Sequence, residues 1–195
     1  MHAKSVDLGR DPVKTLLLRL SIPSIASNVV NMLYNLVDRM YIGHMQPVET
    51  VGKLSLTALG VCAPIILIIS AFSALFAEGG APKAAIMEGR GDREGAERIM
   101  GNSFVLLLLI SFILTTGFLL FSRPLLMAFG ASENTIGYAL DYIRIYLIGT
   151  VFVQITAGMT AYITSQGYTA VSLRVNLVGT VLNVISDPIL IYLLD

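Results

Sequence analysis

Long uncharged runs alternate with short charged segments along the chain. Leu20–Val37, Leu54–Ala77 and Phe104–Phe121 contain no Asp, Glu, Lys or Arg. Each is long enough to cross roughly 30 Å of hydrocarbon as a helix rising about 1.5 Å per residue. Ile145–Leu173 is also uncharged but too long for one perpendicular crossing, so Gly167 predicts a turn and a new helix from about Ala170. The pattern predicts an all-α membrane protein with five transmembrane helices, spanning about 14–42, 54–81, 102–122, 133–165 and 170–194, after a tail over residues 1–12. Asp11 before Pro12 reads as a helix N-cap, and so does Ser132 with Glu133 as first-turn acid. Asp92 reads as the start of a short amphipathic helix to about Gly101 at the membrane surface.

Polar residues inside these runs are not scattered. On the first helix Ser21, Ser24, Asn28, Asn31, Asn35 and Asp38 follow at steps of three or four, which places them on one face. The fifth helix repeats the pattern with Asn176, Thr180, Asn183 and Asp187, and the fourth adds Thr156, Thr160 and Thr164. Interhelical hydrogen bonding, typically about 0.6 kcal/mol per pair in a membrane bundle, accounts for Ser, Thr and Asn. It accounts less well for two aspartates, since a carboxylate at the centre of a span costs about 2.5–3.5 kcal/mol on insertion scales and characteristically faces a wet cavity or a partner. Arg39 and Arg144 are the candidate basic partners, and each is also placed to snorkel. Pro188 directly after Asp187 predicts a local bend at that polar site.

Composition agrees with this pattern. Hydrophobic residues make up 55% of the chain and charged ones 13%, and the mean hydropathy is +0.75, so the solvent for most of the surface is lipid. The 13 basic and 13 acidic residues cancel, with no basic tract to suggest nucleic acid. Cys62 is the single cysteine, which excludes an intramolecular disulfide or a cysteine-rich metal site. No phosphate-binding glycine loop is present, and His2 and His44 are not at metal-ligand spacing, so the chain is not expected to be an enzyme and no cofactor is implied. The first span ends in Asp38-Arg39-Met40-Tyr41 without a small-residue cleavage site, so it is expected to remain in the mature protein.

Several segments together carry a family resemblance: Pro23, Tyr34-Asn35-Leu36-Val37-Asp38 ending at Ile42-Gly43, Glu78-Gly79-Gly80-Ala81-Pro82, Glu88-Gly89-Arg90-Gly91-Asp92 with Ala96 to Asn102, Gln166-Gly167, and Asn183 to Ile191. In order and spacing the sequence resembles the N-terminal lobe of multidrug and toxic compound extrusion (MATE) transporters, over nearly the whole chain. It is most similar to the bacterial branch with an aspartate on the first helix and Asn-x-x-x-Asp-Pro on the fifth. The resemblance implies cation coupling by Asp38, Asn183 and Asp187, with Tyr34, Asn35, Asn31, Thr160 and Thr180 as a supporting polar network and H⁺ or Na⁺, the latter at Asp38 and Asp187, as coupling ion. It implies export of drug-like small molecules, cationic ones among them, across a bacterial-type cytoplasmic membrane. Thr160 stands where relatives often carry asparagine, Glu88 where leucine is usual, and Ser186 where leucine is common.

Family members are about twice as long, with two six-helix bundles related as repeats. The sequence therefore reads as domain 13–195, an incomplete N-terminal lobe without the sixth helix and C-terminal lobe, to be completed by that lobe or by a second copy. The alternatives are a non-transporting truncated remnant or interaction subunit, and a lipid-carrier flippase of the same superfamily, which favours a more basic cavity. Lys4, Arg10, Lys14 and Arg19 precede the first span, and Lys83, Arg90, Arg93 and Arg98 lie between the second and third, so the N-terminus is predicted cytoplasmic. Cysteines introduced at Arg93 and at Gln46 are then expected to react from opposite sides of the membrane. Labelling of both from outside intact cells by a non-permeant reagent refutes the five-span arrangement.

Overall fold

The chain was analysed as a computed structural model, which describes residues 12–45 and 47–192, with the side chains of 48, 49, 187, 188 and 190–192 excepted. Asp11 lies outside the described residues. The elements are α1 (Val13–Gly43), a π-helical turn (Val48–Gly52), α2 (Lys53–Gly89), α3 (Arg93–Ala128), α4 (Ile136–Ser165) and α5 (Thr169–Tyr192). All five α-helices are long and apolar enough to cross a membrane. Lipid offers no hydrogen-bond partner to the backbone, which in a helix is satisfied internally.

The connections are made by ordinary turn chemistry. Gly91 (φ +82°) and Gly167 (φ +88°) adopt the left-handed conformation that glycine reaches without steric cost, and α5 begins two residues after Gly167. The Asp92 carboxylate accepts a hydrogen bond from the Gly95 N–H at 2.9 Å, capping α3. The helix it starts is not a separate surface element. α3 runs from Arg93 to Ala128, and its charged first turns are bridged along their length by Arg93–Glu97 (3.1 Å) and Arg98–Glu94 (2.6 Å). Such exposed i,i+4 pairs contribute about 0.3–0.5 kcal/mol each, and they let the polar end continue the apolar helix without a break. α3 does kink at Phe121 (φ −109°, ψ 15°), three residues before Pro124, whose ring and missing N–H disrupt the preceding turn.

Ser132 does precede α4, but the helix begins at Ile136, so Glu133 lies before its first turn and Ser132 bonds instead to Thr135. The Ser132 N–H donates to the Thr135 hydroxyl at 2.9 Å, and the Ser132 carbonyl accepts the Ile136 N–H at 2.9 Å. Glu133 instead approaches Arg123 at 4.0 Å.

The structure divides into two compact units, one comprising Arg39–Tyr162 and the other the residues up to Asp38 together with those from Ile163. In the Arg39–Tyr162 unit, α2 buries Ala58, Cys62, Ile65, Ile69, Ser73, Ala77, Ala81 and Ala84, and α4 buries Ile136, Ala139, Ile143, Leu147, Thr150, Gln154, Gly158 and Tyr162. Both stripes advance by three or four residues, as a helix seam requires. Small residues on α2 allow the backbones to approach, the usual means of helix association in lipid.

Gly80 shows how close that approach is. A Cβ at Gly80 would overlap the Tyr162 hydroxyl and come within 3.0 Å of Ser103 Oγ, whereas one at neighbouring Gly79 would meet nothing within 4 Å. Tyr162 donates to Ser103 Oγ at 2.6 Å, so the tyrosine is held in place. Gly80→Ala is expected to destabilise the purified protein by about 1–3 kcal/mol, the usual range for overpacking, while Gly79→Ala is expected to be neutral. Adding Tyr162→Phe to Gly80→Ala is expected to restore part of the loss. Equal melting temperatures for the two alanine variants in detergent contradict this packing.

Candidate functional site

The unit formed by α1 to Asp38 and by α5 carries most of the residues singled out in the sequence. α1 buries only Ser27 among its described residues. On its polar stripe Ser24 and Asp38 are half-buried, while Ser21, Asn28, Asn31 and Asn35 are exposed. Asn35 donates to the Asn31 carbonyl at 2.7 Å, one turn earlier, which tethers an exposed amide along the helix. Tyr34 is half-buried beside this stripe.

On α5, Asn176, Thr180 and Asn183 are half-buried together, as their spacing requires. The backbone of Asp187 belongs to the same helix, and its side chain lies outside what the structure describes. The two helices are joined side chain to side chain, with the Asn176 amide donating to the Ser27 hydroxyl. Ser27 was not legible as a site residue because it sits one position off the asparagine stripe. The available signal was that Ser24, Ser27, Asn31, Tyr34 and Asp38 also follow at steps of three or four.

Thr160 belongs to the Arg39–Tyr162 unit and bonds its own helix, donating to the Thr156 carbonyl at 2.6 Å. Within that unit α4's fully buried polar residues are Thr150 and Gln154, on a different stripe from Thr156, Thr160 and Thr164. The Ser73 hydroxyl donates to Gln154 Oε1 at 2.5 Å, and Gln154 Nε2 donates to the Ile69 carbonyl at 3.2 Å. Among the described residues no buried side-chain nitrogen or oxygen lacks a partner. The Ser73–Gln154 and Gln154–Ile69 bonds lock α2 to α4, and no periodic pattern marks them along the chain because the partners stand on different helices. Arg39 and Arg144 are both exposed.

The donors available in the α1–α5 unit are hard oxygens: the Asp38 carboxylate, the amides of Asn31, Asn35 and Asn183, and the hydroxyls of Tyr34 and Thr180. That set suits a proton or an alkali cation and not a soft transition metal. Among the described residues no group of three His, Cys, Asp or Glu is placed to hold a metal ion.

Comparison with known proteins agrees with this reading of the fold. Residues 23–189 match the MatE family. The chain is 24% identical over 176 residues to the multidrug export protein MepA of Staphylococcus haemolyticus strain JCSC1435, covering 90% of this chain and 38% of that protein. It is 22% identical over 181 residues to an FAD transporter of Shewanella oneidensis, covering 93% of this chain and 39% of that protein. A crystal structure of MATE in complex with MaD3S superposes on all of this chain with a TM-score of 0.87 and 28% identity, using 42% of its own length. The chain thus spans about two fifths of the length of these relatives. Matched through three whole spans and most of the first and fifth, and sharing the fold of solved members, this multi-pass membrane chain belongs to the MatE family, a family of transporters and not of enzymes.

Proposed function

We propose that the chain is the N-terminal, ion-coupling lobe of a cation-coupled antiporter that exports drug-like small molecules. The observation that carries this reading is the Ser27–Asn176 hydrogen bond, which ties α1 to α5 at a sequence offset of 149. As first and fifth of five successive spans, the two helices cross a bilayer in the same direction. Residues advanced equally from the contact then stand at the same level.

Seven and eleven residues further along a helix return to nearly the same face. The shared advance of seven sets Tyr34 level with Asn183, and that of eleven sets Asp38 level with the backbone of residue 187. Two carboxylates at one level in a membrane cannot both remain charged without a proton or cation between them. A proton or Na⁺ is therefore the natural cargo of this end of the unit, with the amides and hydroxyls of Asn31, Asn35 and Thr180 as the supporting network.

The nature of the exported molecule follows from the exposed part of the same α1 stripe. Asn28, Asn31 and Asn35 are exposed on a helix that traverses lipid, which suits a wet path. Between Arg19 and Arg39 that helix carries no basic residue, and the stripe favours neutral or cationic cargo over an anion. A C-terminal lobe, or a second copy, would supply the facing wall. The basic residues before α1 and around the α2–α3 turn support a cytoplasmic N-terminus.

In a full-length context Asp38→Asn and Asp187→Asn are each expected to abolish cation-driven efflux while leaving membrane insertion intact. Normal efflux in both variants would sink the coupling role. The helix register has its own check: in a Cys62→Ser background, Tyr34→Cys with Asn183→Cys is expected to cross-link on mild oxidation. Tyr34→Cys with Ser172→Cys, about three turns lower on α5, is expected not to.

A further inference from the structure

The Arg39–Tyr162 unit contains a feature that ion coupling does not use. Where the end of α1, the start of α2 and the first turns of α4 meet, they enclose an open cavity of about 200 Å³ whose lining includes Ile42, Leu59, Ser55, Tyr138, Asp141 and Tyr142. The α4 residues come together because positions three and four apart share a helix face. Tyr138 and Tyr142 are 38% and 37% exposed, and the Asp141 carboxylate between them is exposed as well.

Three observations set this cavity apart from an ordinary solvated helix end. Asp141 sits near the N-terminus of α4, where the helix dipole favours an acid, but the dipole accounts neither for the tyrosines on both sides nor for the hollow beneath them. Among the described residues no basic side chain lies within ion-pair distance of Asp141. The Tyr142 ring is stacked on Tyr146 with centroids 6.2 Å apart at 24°, and Tyr146 packs on the hydrophobic core. One aromatic wall is thus fixed in advance, which lowers the ordering cost of binding.

A cavity lined by a carboxylate, two tyrosines and the apolar side chains of Ile42, Met45 and Leu59 suits a cation carrying hydrocarbon substituents. The rings bind it through their quadrupoles, the floor of Ile42 and Leu59 takes its alkyl groups, and the carboxylate neutralises its charge. A metal ion is disfavoured, because Asp141 is the one carboxylate among the described residues of the lining. Drug-sized molecules fill pockets of about 300–1,000 Å³, so this cavity suits a compact head group and not a whole drug. We propose that Tyr138, Asp141 and Tyr142 form a binding site for alkylammonium head groups in the Arg39–Tyr162 unit.

The test is equilibrium dialysis of radiolabelled tetraethylammonium against the purified 195-residue chain in detergent, with gel filtration to establish that each variant is folded. Saturable binding is expected, weakened at least tenfold by Asp141→Asn and retained within about threefold by Asp141→Glu, which keeps the charge. Tyr138→Leu is expected to weaken binding several-fold and Tyr138→Phe to preserve it, since the ring and not the hydroxyl meets the cation. Absence of saturable binding by the wild-type chain, or unaltered binding by Asp141→Asn, overturns the assignment. So does loss of binding in Asp38→Asn with wild-type binding in Asp141→Asn, which would move the cation to the coupling carboxylate. The coupling role itself is judged by gradient-driven efflux and does not depend on the dialysis.

Discussion

Inside a bilayer a polar group has no water to fall back on, and that single constraint organises this protein. An amide or hydroxyl left without a partner in hydrocarbon costs several kcal/mol, so each one must find a partner on its own helix, on a neighbour, or in a wet cavity. The chain uses all three solutions. Thr160 and Asn35 bond to carbonyls one turn earlier; Gln154, Ser73, Tyr162 and Ser103 bond between helices; the remaining exposed asparagines of α1 suit a wet surface. Where the last solution is used, transport becomes possible, because a wet surface through lipid is a path.

The interior of the Arg39–Tyr162 unit and the α1–α5 unit apply the constraint with opposite effect. Between α2 and α4 the polar groups are few, fully buried and mutually satisfied, and they accompany a continuous apolar seam. Such a satisfied network fixes one arrangement of the helices. In the α1–α5 unit the polar groups are many and most are half-buried or exposed, with α1 burying Ser27 alone and α5 burying Thr169 and Ser172 near its start. Few buried contacts mean a low cost of local rearrangement.

Much of this was legible from one sequence because helices in lipid announce themselves by uncharged length. The break at Gly167 and the cap at Asp92 followed from local chemistry and need no tertiary information. The polar face of α5 was legible for a similar reason, since period alone places Asn176, Thr180 and Asn183 together. The start of α3 was misread as a separate surface helix because its charges break the apolar run; the two i,i+4 ion pairs that carry the helix through them weigh less than the change in composition. Ser27 and Gln154 were missed for a different reason. Their importance is defined by partners on other helices, Asn176 and Ser73, and no window along a single helix contains that fact.

The contact between the bare Cα of Gly80 and the Tyr162 hydroxyl also constrains the order in which this protein can change. While Tyr162 is present, position 80 is closed to every side chain, however small; while Gly80 is present, position 162 remains open to smaller residues at the loss of one hydrogen bond to Ser103. The two positions are therefore linked asymmetrically, and a descendant sequence reaches a larger residue at 80 by way of a smaller one at 162. In this seam, geometry fixes the direction of evolutionary drift as well as the residues.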